Sequence, residues 1–526
     1  MFVVLSIWGH PISGVLSGAI IVGIFYRLYF NFHVPTPVGM STQNYPNRVD
    51  TLMSTGELLG AYYSSAAGAP FQGLLFSSFT TVAGLDGYYS LFLYPILIGV
   101  LYPLFSVSIL KIIDVNDHRI LSTAAVLTLV TTEGLRRAYW SRNQVIATFF
   151  WLAAIYILVK YLRTPNSRLF ALLAAFSGGM AYSHRLPLII FSVVLVALSV
   201  LTYTDRITWK KVAGLGPTKQ VFLLVIFIGT ITFTQLLYLG NTFNHLVVRI
   251  FRLQRQYRDA EGVGSVTDPT EPSAASEVLP GMISYVYQYP SEFGLFIERG
   301  HGIWIALVAG IAWVYLYFGA KEDDTREQML ALLSVSSVGV ALMFIGVISI
   351  SALNPTRPLQ LIEPILVVVI VAAVWKMNLL NRSRIYQIGI GIVFILFISS
   401  QVFAMAAAPD YVNSPRYYAD VPESAAKGTI CDYTTDPPYT DYEMSLFRGL
   451  DQQTCSMNSF DINAESPLFN AEISPQNHST VVYRYNVETY LGSGGSRYEL
   501  TWSPERELGQ EYHRVYDNEA VIMFDS

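Results

Sequence analysis

Charge is what this sequence has least of. Only 13% of its 526 residues are Asp, Glu, Lys or Arg, while 52% are hydrophobic. Soluble globular chains carry about 25% charged residues. With a mean hydropathy of +0.41 and many apolar runs of about 20 residues, the chain falls in the helical membrane class. Other absences narrow the function. No Gly-x-x-x-x-Gly-Lys-Ser/Thr loop is present, which argues against an ATP-driven pump, and there is no His-Glu-x-x-His. The polar loop after the first apolar run has no Asp-x-Asp, and Asp323 and Asp324 read as a solvated turn. No cofactor and no divalent metal are therefore expected, and no nucleic-acid partner. The first apolar stretch has no basic residue before it and is followed by Arg27, Tyr29 and Phe30. A cleaved signal has the opposite flanks, so this stretch reads as a retained span.

Cysteine is nearly absent. Cys431 and Cys455 are the two in the chain. They form no Cys-x-x-Cys pair and stand near no histidine cluster, which makes a metal site unlikely. Outside the cytoplasm a disulfide between them is the expectation, with two unpaired core cysteines as the alternative.

What is present is a series of apolar runs at 12–30, 88–111, 120–132, 144–162, 168–182, 187–204, 219–239, 300–319, 328–351, 359–376 and 385–407, eleven in all. A further run at 70–83 has 14 residues. As a helix it reaches only about 21 Å, against about 30 Å of hydrocarbon, and reads as interfacial or re-entrant. The loop charges test this count. With the N-terminus in the cytoplasm, the inside turns collect Lys111, Arg119, Lys160, Arg163, Arg168, Arg206, Lys210, Lys211, Lys219, Lys321, Arg326, Lys376, Arg382 and Arg384. The outside loops hold no lysine, as the positive-inside rule asks. Making 70–83 a full span reverses every later loop and destroys the agreement.

The predicted fold is thus an α-helical polytopic membrane protein of about 11 transmembrane helices in the plasma membrane. Its transmembrane domain is 1–407. That domain has an outer loop at 31–87 containing the interfacial helix 70–83, and a long outer loop at 240–299. The remainder, 408–526, is an acidic extracytoplasmic domain. From Pro409 onward there are 19 acidic and 7 basic residues, against a net charge of −5 for the whole chain. Alternation at Ser479–Tyr485 and a strand-turn-strand pattern ending in Phe524 predict a small α/β or mostly β module. Asn477-His478-Ser479 is an N-glycosylation triplet on this outer side, whereas Asn381-Arg382-Ser383 falls inside. The long loop opens with Arg249, Arg252, Arg255 and Arg258, reads as linker-like from Glu261 to Ser276, and ends in Tyr285, Tyr287 and Tyr289.

The topology gathers ionisable residues on one side. Asp50 and Glu57 lie in the first outer loop. Arg136, Arg137 and Arg142 follow the third run, His184 and Arg185 follow the fifth, and Arg357 and Glu363 flank the start of the tenth. Charges at membrane depth are costly and tend to mark sites or to pair. Taken singly, the arginines read as interface anchors. Taken together they suit an anionic ligand held by bidentate bonds. Asp50 is the one aspartate before the run at 70–83 and suits a general base. A helix cap is its other reading. Pro355 and Pro358 would fix Arg357 at the membrane edge.

The order of one span, an acid-bearing outer loop, an apolar helix at Ala69-Pro70-Phe71-Gln72-Gly73-Leu74-Leu75 and a membrane bundle resembles the GT-C superfamily of polytopic glycosyltransferases. It is nearest in style to archaeal and bacterial members related to protein mannosyltransferases, of archaeal type. Arg137-Ala138-Tyr139-Trp140-Ser141-Arg142-Asn143-Gln144, Ala181-Tyr182-Ser183-His184-Arg185 and the late Arg357 carry the likeness further. The family's Trp-Trp-Asp motif of oligosaccharyltransferases is missing. The resemblance implies transfer of a single sugar, with inversion, from a polyprenyl (dolichyl) phosphate donor to a glycan, lipid or protein acceptor outside the membrane. Asp50 and Glu57 are then catalytic, and Arg357, Arg142, His184 and Arg185 bind the lipid phosphate. Two other classes stay open. One is a transporter or flippase for a lipid-linked or anionic solute, though no internal repeat is visible. The other is a non-catalytic membrane scaffold with a binding ectodomain.

Overall fold

The computed structural model describes residues 12–33, 49, 50, 52–54, 56, 70–85, 87–131, 144–203, 217–234, 282–285, 292–319, 326–348, 356–379, 388, 389, 391–399, 421–434, 436–441, 444, 445, 457–460, 466–484, 490, 491, 497–500 and 502–526. They divide between two units. The first holds the helices up to 399 except the helix ends 31–33 and 292–294, and the second holds those ends, residues 282–285 and those from 421 onward.

The helical unit begins with α1 (Ile12–His33) and the short α2 (Pro70–Ala83). Proline suits the first position of α2, where its missing N–H has no helical partner to lose. The other end is closed by Gly84 at φ +64°. There Leu85 N donates to Thr80 O at 3.0 Å and Gly84 N to Thr81 O at 3.4 Å, the paired bonds that cap a helix through a left-handed residue. A 3-10 turn, Gly87–Phe92, leads into α3 (Leu93–Ile112). Next comes α4 (His118–Leu129), only 12 residues long. It starts at His118 because Asp117 accepts from Arg119 N at 2.8 Å. Burial pulls the Asp117 carboxyl upward, but the bonds from Arg119 outweigh it and hold the pKa below its usual value.

Five long apolar helices follow: α5 (Gln144–Arg163), α6 (Ser167–Ser183), α7 (Arg185–Tyr203), α8 (Pro217–Thr234) and α9 (Glu292–Gly319). Then come α10 (Arg326–Ile348) and α11 (Thr356–Lys376), and 391–399 is helical. Helix α9 starts eight residues before the run read at 300–319. Two described stretches are long and apolar enough to cross a membrane by themselves, Ile146–Arg163 and Pro358–Lys376; the other apolar helices give shorter stretches. The unit is apolar on its outside as well as inside. Phe25 is 69% exposed, Ile311 65% and Val82 89%. Helices that are hydrophobic all round belong in lipid, and a helix satisfies its own backbone there.

Neighbouring helices pack as antiparallel hairpins. Ser106 on α3 meets Thr128 on α4 at 3.5 Å, Ser192 on α7 meets Thr232 on α8 at 2.7 Å, and Trp313 Nε1 on α9 donates to Leu333 O on α10 at 3.1 Å. On α6, a Cβ at Gly179 would collide with the Phe150 ring of α5, so glycine is what lets these two helices close.

The second unit has a mixed five-stranded sheet in the order β3-β2-β4-β8-β7. Its strands are β2 (Tyr439–Thr440), β3 (Asn458–Ser459), β4 (Thr480–Arg484), β7 (His513–Asp517) and β8 (Val521–Asp525). Both faces are covered, so β8 is buried almost throughout rather than in alternation. One face packs Val481, Ile522 and Phe524 against Phe469 and Leu508. The other packs Val482, Val521 and Met523 against Ala426 and Ile430 of α12 (Val421–Tyr433). Two further helices, α13 (Pro467–Asn470) and α14 (Pro504–Glu511), lie on the first face.

A smaller sheet has the order β1-β6-β5, where β1 is Met282–Tyr285, β5 is Tyr490–Leu491 and β6 is Arg497–Leu500. The end of the long loop read at 240–299 is therefore a strand of the C-terminal unit. Met282 pairs with Leu500 and Tyr285 with Arg497. Tyr285, expected among interfacial aromatics, has its backbone in this ladder.

Candidate functional site

The level of the helices is set by a buried polar knot. Pro364 lies inside α11 and has no N–H to give the carbonyl four residues back, that of Gln360. Tyr102 of α3 turns its hydroxyl to that oxygen at 3.5 Å. The next carbonyl, Leu361 O, accepts from Trp151 Nε1 of α5 at 2.8 Å. Gln360 Nε2 reaches Thr148 Oγ1, also on α5, at 3.4 Å, and its Oε1 is buried with no hydrogen bond. Trp151 also meets Phe191 of α7 edge-on at 6.2 Å.

These contacts fix direction. Trp151, Phe191 and Leu361 all stand within about 11 Å of the start of their own helix at 1.5 Å per residue. So α5, α7 and α11 begin at one end of the unit. Helix α3 runs with them, because its far end meets that of α5. Arg163 bonds both Asp114 carboxylate oxygens, at 2.7 and 2.9 Å, and also donates to Ile112 O. A common direction for these four helices is what alternating inside and outside loops demand.

At that shared end stand the backbones of several sequence-chosen residues. Asp50 Oδ1 accepts from Gly87 N at 3.0 Å and so caps the 3-10 turn that leads into α3. The capping role is real, but the capped element differs from the one expected. Residues 49 and 50 are themselves helical, and the bond goes to the turn at Gly87 instead of to the amides after Asp50. Thr80 Oγ1 meets Met53 Sδ at 3.1 Å, which ties the same segment to α2. Phe71, near the start of α2, meets Phe150 of α5 at 5.2 Å.

His184 sits between α6 and α7. Its amide donates to Met180 O at 2.9 Å, and its Nδ1 accepts from Leu186 N at 3.2 Å. An acceptor Nδ1 leaves the ring proton on Nε2. Arg185 and Arg357 are the first and second residues of α7 and α11, and the backbone alone is described for both. Glu57, Arg136, Arg137, Arg142 and Cys455 lie outside the described residues, so neither the phosphate set nor the disulfide is seen whole. Cys431 is helical, in α12. Among the described residues no group of three His, Cys, Asp or Glu side chains is placed to hold a metal ion.

The sequence reading missed the knot itself. Its signal was Pro364 within an otherwise apolar run, with Gln360 four residues earlier. It took Arg27 only as a flank of the first apolar stretch, whereas Arg27 lies within α1, is 1% exposed and donates to Gly23 O at 2.9 Å. Glu363, chosen as an edge charge, is fully buried in α11.

Among the described residues of the second unit the buried charges are Glu423, Lys427, Asp441 and Arg484. Arg484 gives Asp441 two bonds, at 2.8 and 2.6 Å, and reaches Glu423 at 3.3 Å. Lys427 Nζ donates to Met444 O and Ser445 O at 3.0 and 2.9 Å. Burial pushes the Lys427 pKa down to about 7, against the pull of Asp441. The contacts of the cluster are those of a structural staple between α12 and the sheet.

No family model and no curated protein matches the chain. Among solved structures it is similar to ArnT from Cupriavidus metallidurans in the apo state, with 11% identity, a TM-score of 0.43, and coverage of 97% of this chain and 98% of that one. It is also similar to the same protein bound to undecaprenyl phosphate, at 12% identity and a TM-score of 0.44, with the same coverage. Both scores lie below 0.5.

Proposed function

We propose that the chain is a membrane glycosyltransferase that moves a single sugar from a polyprenyl phosphate to a glycan, lipid or protein acceptor on the outer side of the membrane, with inversion. The observation that carries this reading is the common level of the starts of α3, α5, α7 and α11. It brings the backbones of Asp50, His184, Arg185 and Arg357 to one end of an apolar bundle. In sequence, Arg142 stands two residues before α5. Carboxylates beside several cations at a membrane edge suit an anionic, lipid-borne donor.

In this reading the acceptor oxygen attacks the anomeric carbon from the face opposite the phosphate. Its bond to the sugar forms as the sugar–phosphate bond breaks. Asp50 takes the acceptor proton, with Glu57 assisting. Arg357, Arg142 and Arg185 take up the charge that grows on the leaving phosphate, and His184 adds a neutral donor through Nε2. The arginines do the work a metal would do, so the reading invokes neither metal nor cofactor.

The cap at Asp50 makes a clean test possible. Asp50→Asn keeps an oxygen to accept from Gly87 N but removes the base. Sugar transfer is expected to disappear while expression and thermal stability hold. Transfer at the wild-type rate ends the assignment of Asp50 as base. Asp50→Ala removes the cap as well and adds a stability loss of about 1 kcal/mol.

A further inference from the structure

We infer that Asn477 is an N-glycosylation site, modified with a glycan delivered from a lipid-phosphate carrier. The inference rests on the outward orientation of the C-terminal unit adopted above, and otherwise on the local geometry of the turn. The triplet Asn477-His478-Ser479 runs from the end of a turn into β4, and its exposure alternates: Asn477 and Ser479 are exposed and His478 is 8% exposed.

The middle residue is the anchor. The His478 ring stands edge-on to Tyr439 at 4.6 Å and packs on Phe460 at 5.3 Å. Its carbonyl accepts from the Tyr512 hydroxyl at 2.8 Å, and the carbonyl of Ser479 accepts from Ser526 N at 2.9 Å. The side chain that the Asn-x-Ser pattern leaves free to vary is thus buried. The two that must be reached, the amide to be modified and the hydroxyl that is read with it, are the two turned to solvent.

Turns that lie on the surface tolerate a bulky addition. The co-reactant is a lipid-phosphate-linked glycan, and the catalyst is a separate transferase. Asn477 Nδ2 bonds to the anomeric carbon, the carbon–oxygen bond to the phosphate breaks, the amide loses one proton to a base, and the lipid phosphate leaves as the anion. Asn381-Arg382-Ser383, the other such triplet, lies on the cytoplasmic side of the same topology and is a built-in control.

The test expresses the full chain in a cell that N-glycosylates proteins and maps tryptic peptides by mass spectrometry. Cleavage after Arg448 and Arg484 gives one peptide carrying Asn477, and cleavage after Lys376 and Arg382 gives one carrying Asn381. The 449–484 peptide is expected to bear a glycan and the 377–382 peptide none. Asn477→Gln and Ser479→Ala should each abolish the modification, whereas Asn381→Gln should leave it. Protease added to sealed, right-side-out vesicles reports the side of the C-terminal unit. A protected unit overturns both this inference and the outer-face reading above. A digested unit whose 449–484 peptide is unmodified overturns the glycosylation alone.

Discussion

The two units bury polarity in opposite ways. In the helical unit several buried hydroxyls bond back into their own helix. Thr128 reaches Ala124 O at 3.0 Å, Ser177 reaches Leu173 O at 2.8 Å, Ser183 reaches Gly179 O at 2.7 Å and Thr232 reaches Ile228 O at 2.8 Å. In the second unit polarity is gathered as charge, with Arg484 set between Asp441 and Glu423 beneath α12. The surroundings explain the difference. The helical unit shows apolar side chains outward, and in hydrocarbon a freed polar group finds no water, so each segment satisfies itself. Helix α14 instead exposes Glu505, Arg506, Glu507 and Glu511, a face built for water. There the charges enter the interior only as a matched set, since a lone buried charge is what the fold cannot tolerate. The knot at Pro364 is where the helical unit departs from its own rule and borrows donors from other helices.

The sharpest way to break this contrast is Arg484→Met. It takes the arginine from two buried carboxylates and should cost the second unit about 3–5 kcal/mol, read by pulse proteolysis of the full-length protein in urea. A loss below about 1 kcal/mol means that the cluster is not the staple described. Lys427 gives the next effect. Its folded pKa of about 7 lies below the unfolded 10.5. Between those values the unfolded chain holds the extra proton, so stability rises with pH. The gain from pH 7.5 to 9 should reach about 2 kcal/mol at most. Lys427→Met should flatten that slope, and an equally steep slope in the variant assigns it elsewhere.

Trp151→Phe removes the donor to Leu361 O. Losing one buried hydrogen bond costs about 0.5–1.5 kcal/mol, seen as a lower melting temperature in detergent. With Arg357 one turn away on α11, the donor KM should also rise more than kcat falls. Tyr102→Phe should do less, because its 3.5 Å bond is long. The smallest effect is expected from Ser192→Ala. It breaks a hydroxyl pair between α7 and α8 but leaves Thr232 bonded within its own helix, for a loss of about 0.6 kcal/mol. A loss above about 2 kcal/mol would show that the helical unit relies on bonds between helices after all.

Much of the helical unit was legible because lipid imposes a one-dimensional rule: enough apolar residues in a row, ended by Gly, Pro or charge. Helix α2 shows this well, bounded by Pro70 and by Gly84 at positive φ. Other ends were not legible. The turn after α3 uses Asp114 at φ +63°, where glycine is the usual choice, and Arg163 from a distant helix pairs with it. For Asp50 the sequence offered a base or a cap. It could not point to Gly87, 37 residues on, as the group capped.

The sequence by itself determined the solvent of each part of the chain, since hydropathy and charge sum along a segment without reference to its neighbours. It therefore set the apolar helices, their alternating direction and the acidic C-terminal unit. Only the tertiary structure decided that Tyr102 reaches the carbonyl Pro364 leaves open and that Trp151 bonds the next one, that β1 pairs with β6 more than 200 residues away, and that Arg484 is buried between two carboxylates. Each of these is a contact between groups far apart in sequence. Its free energy depends on geometry that no local pattern records.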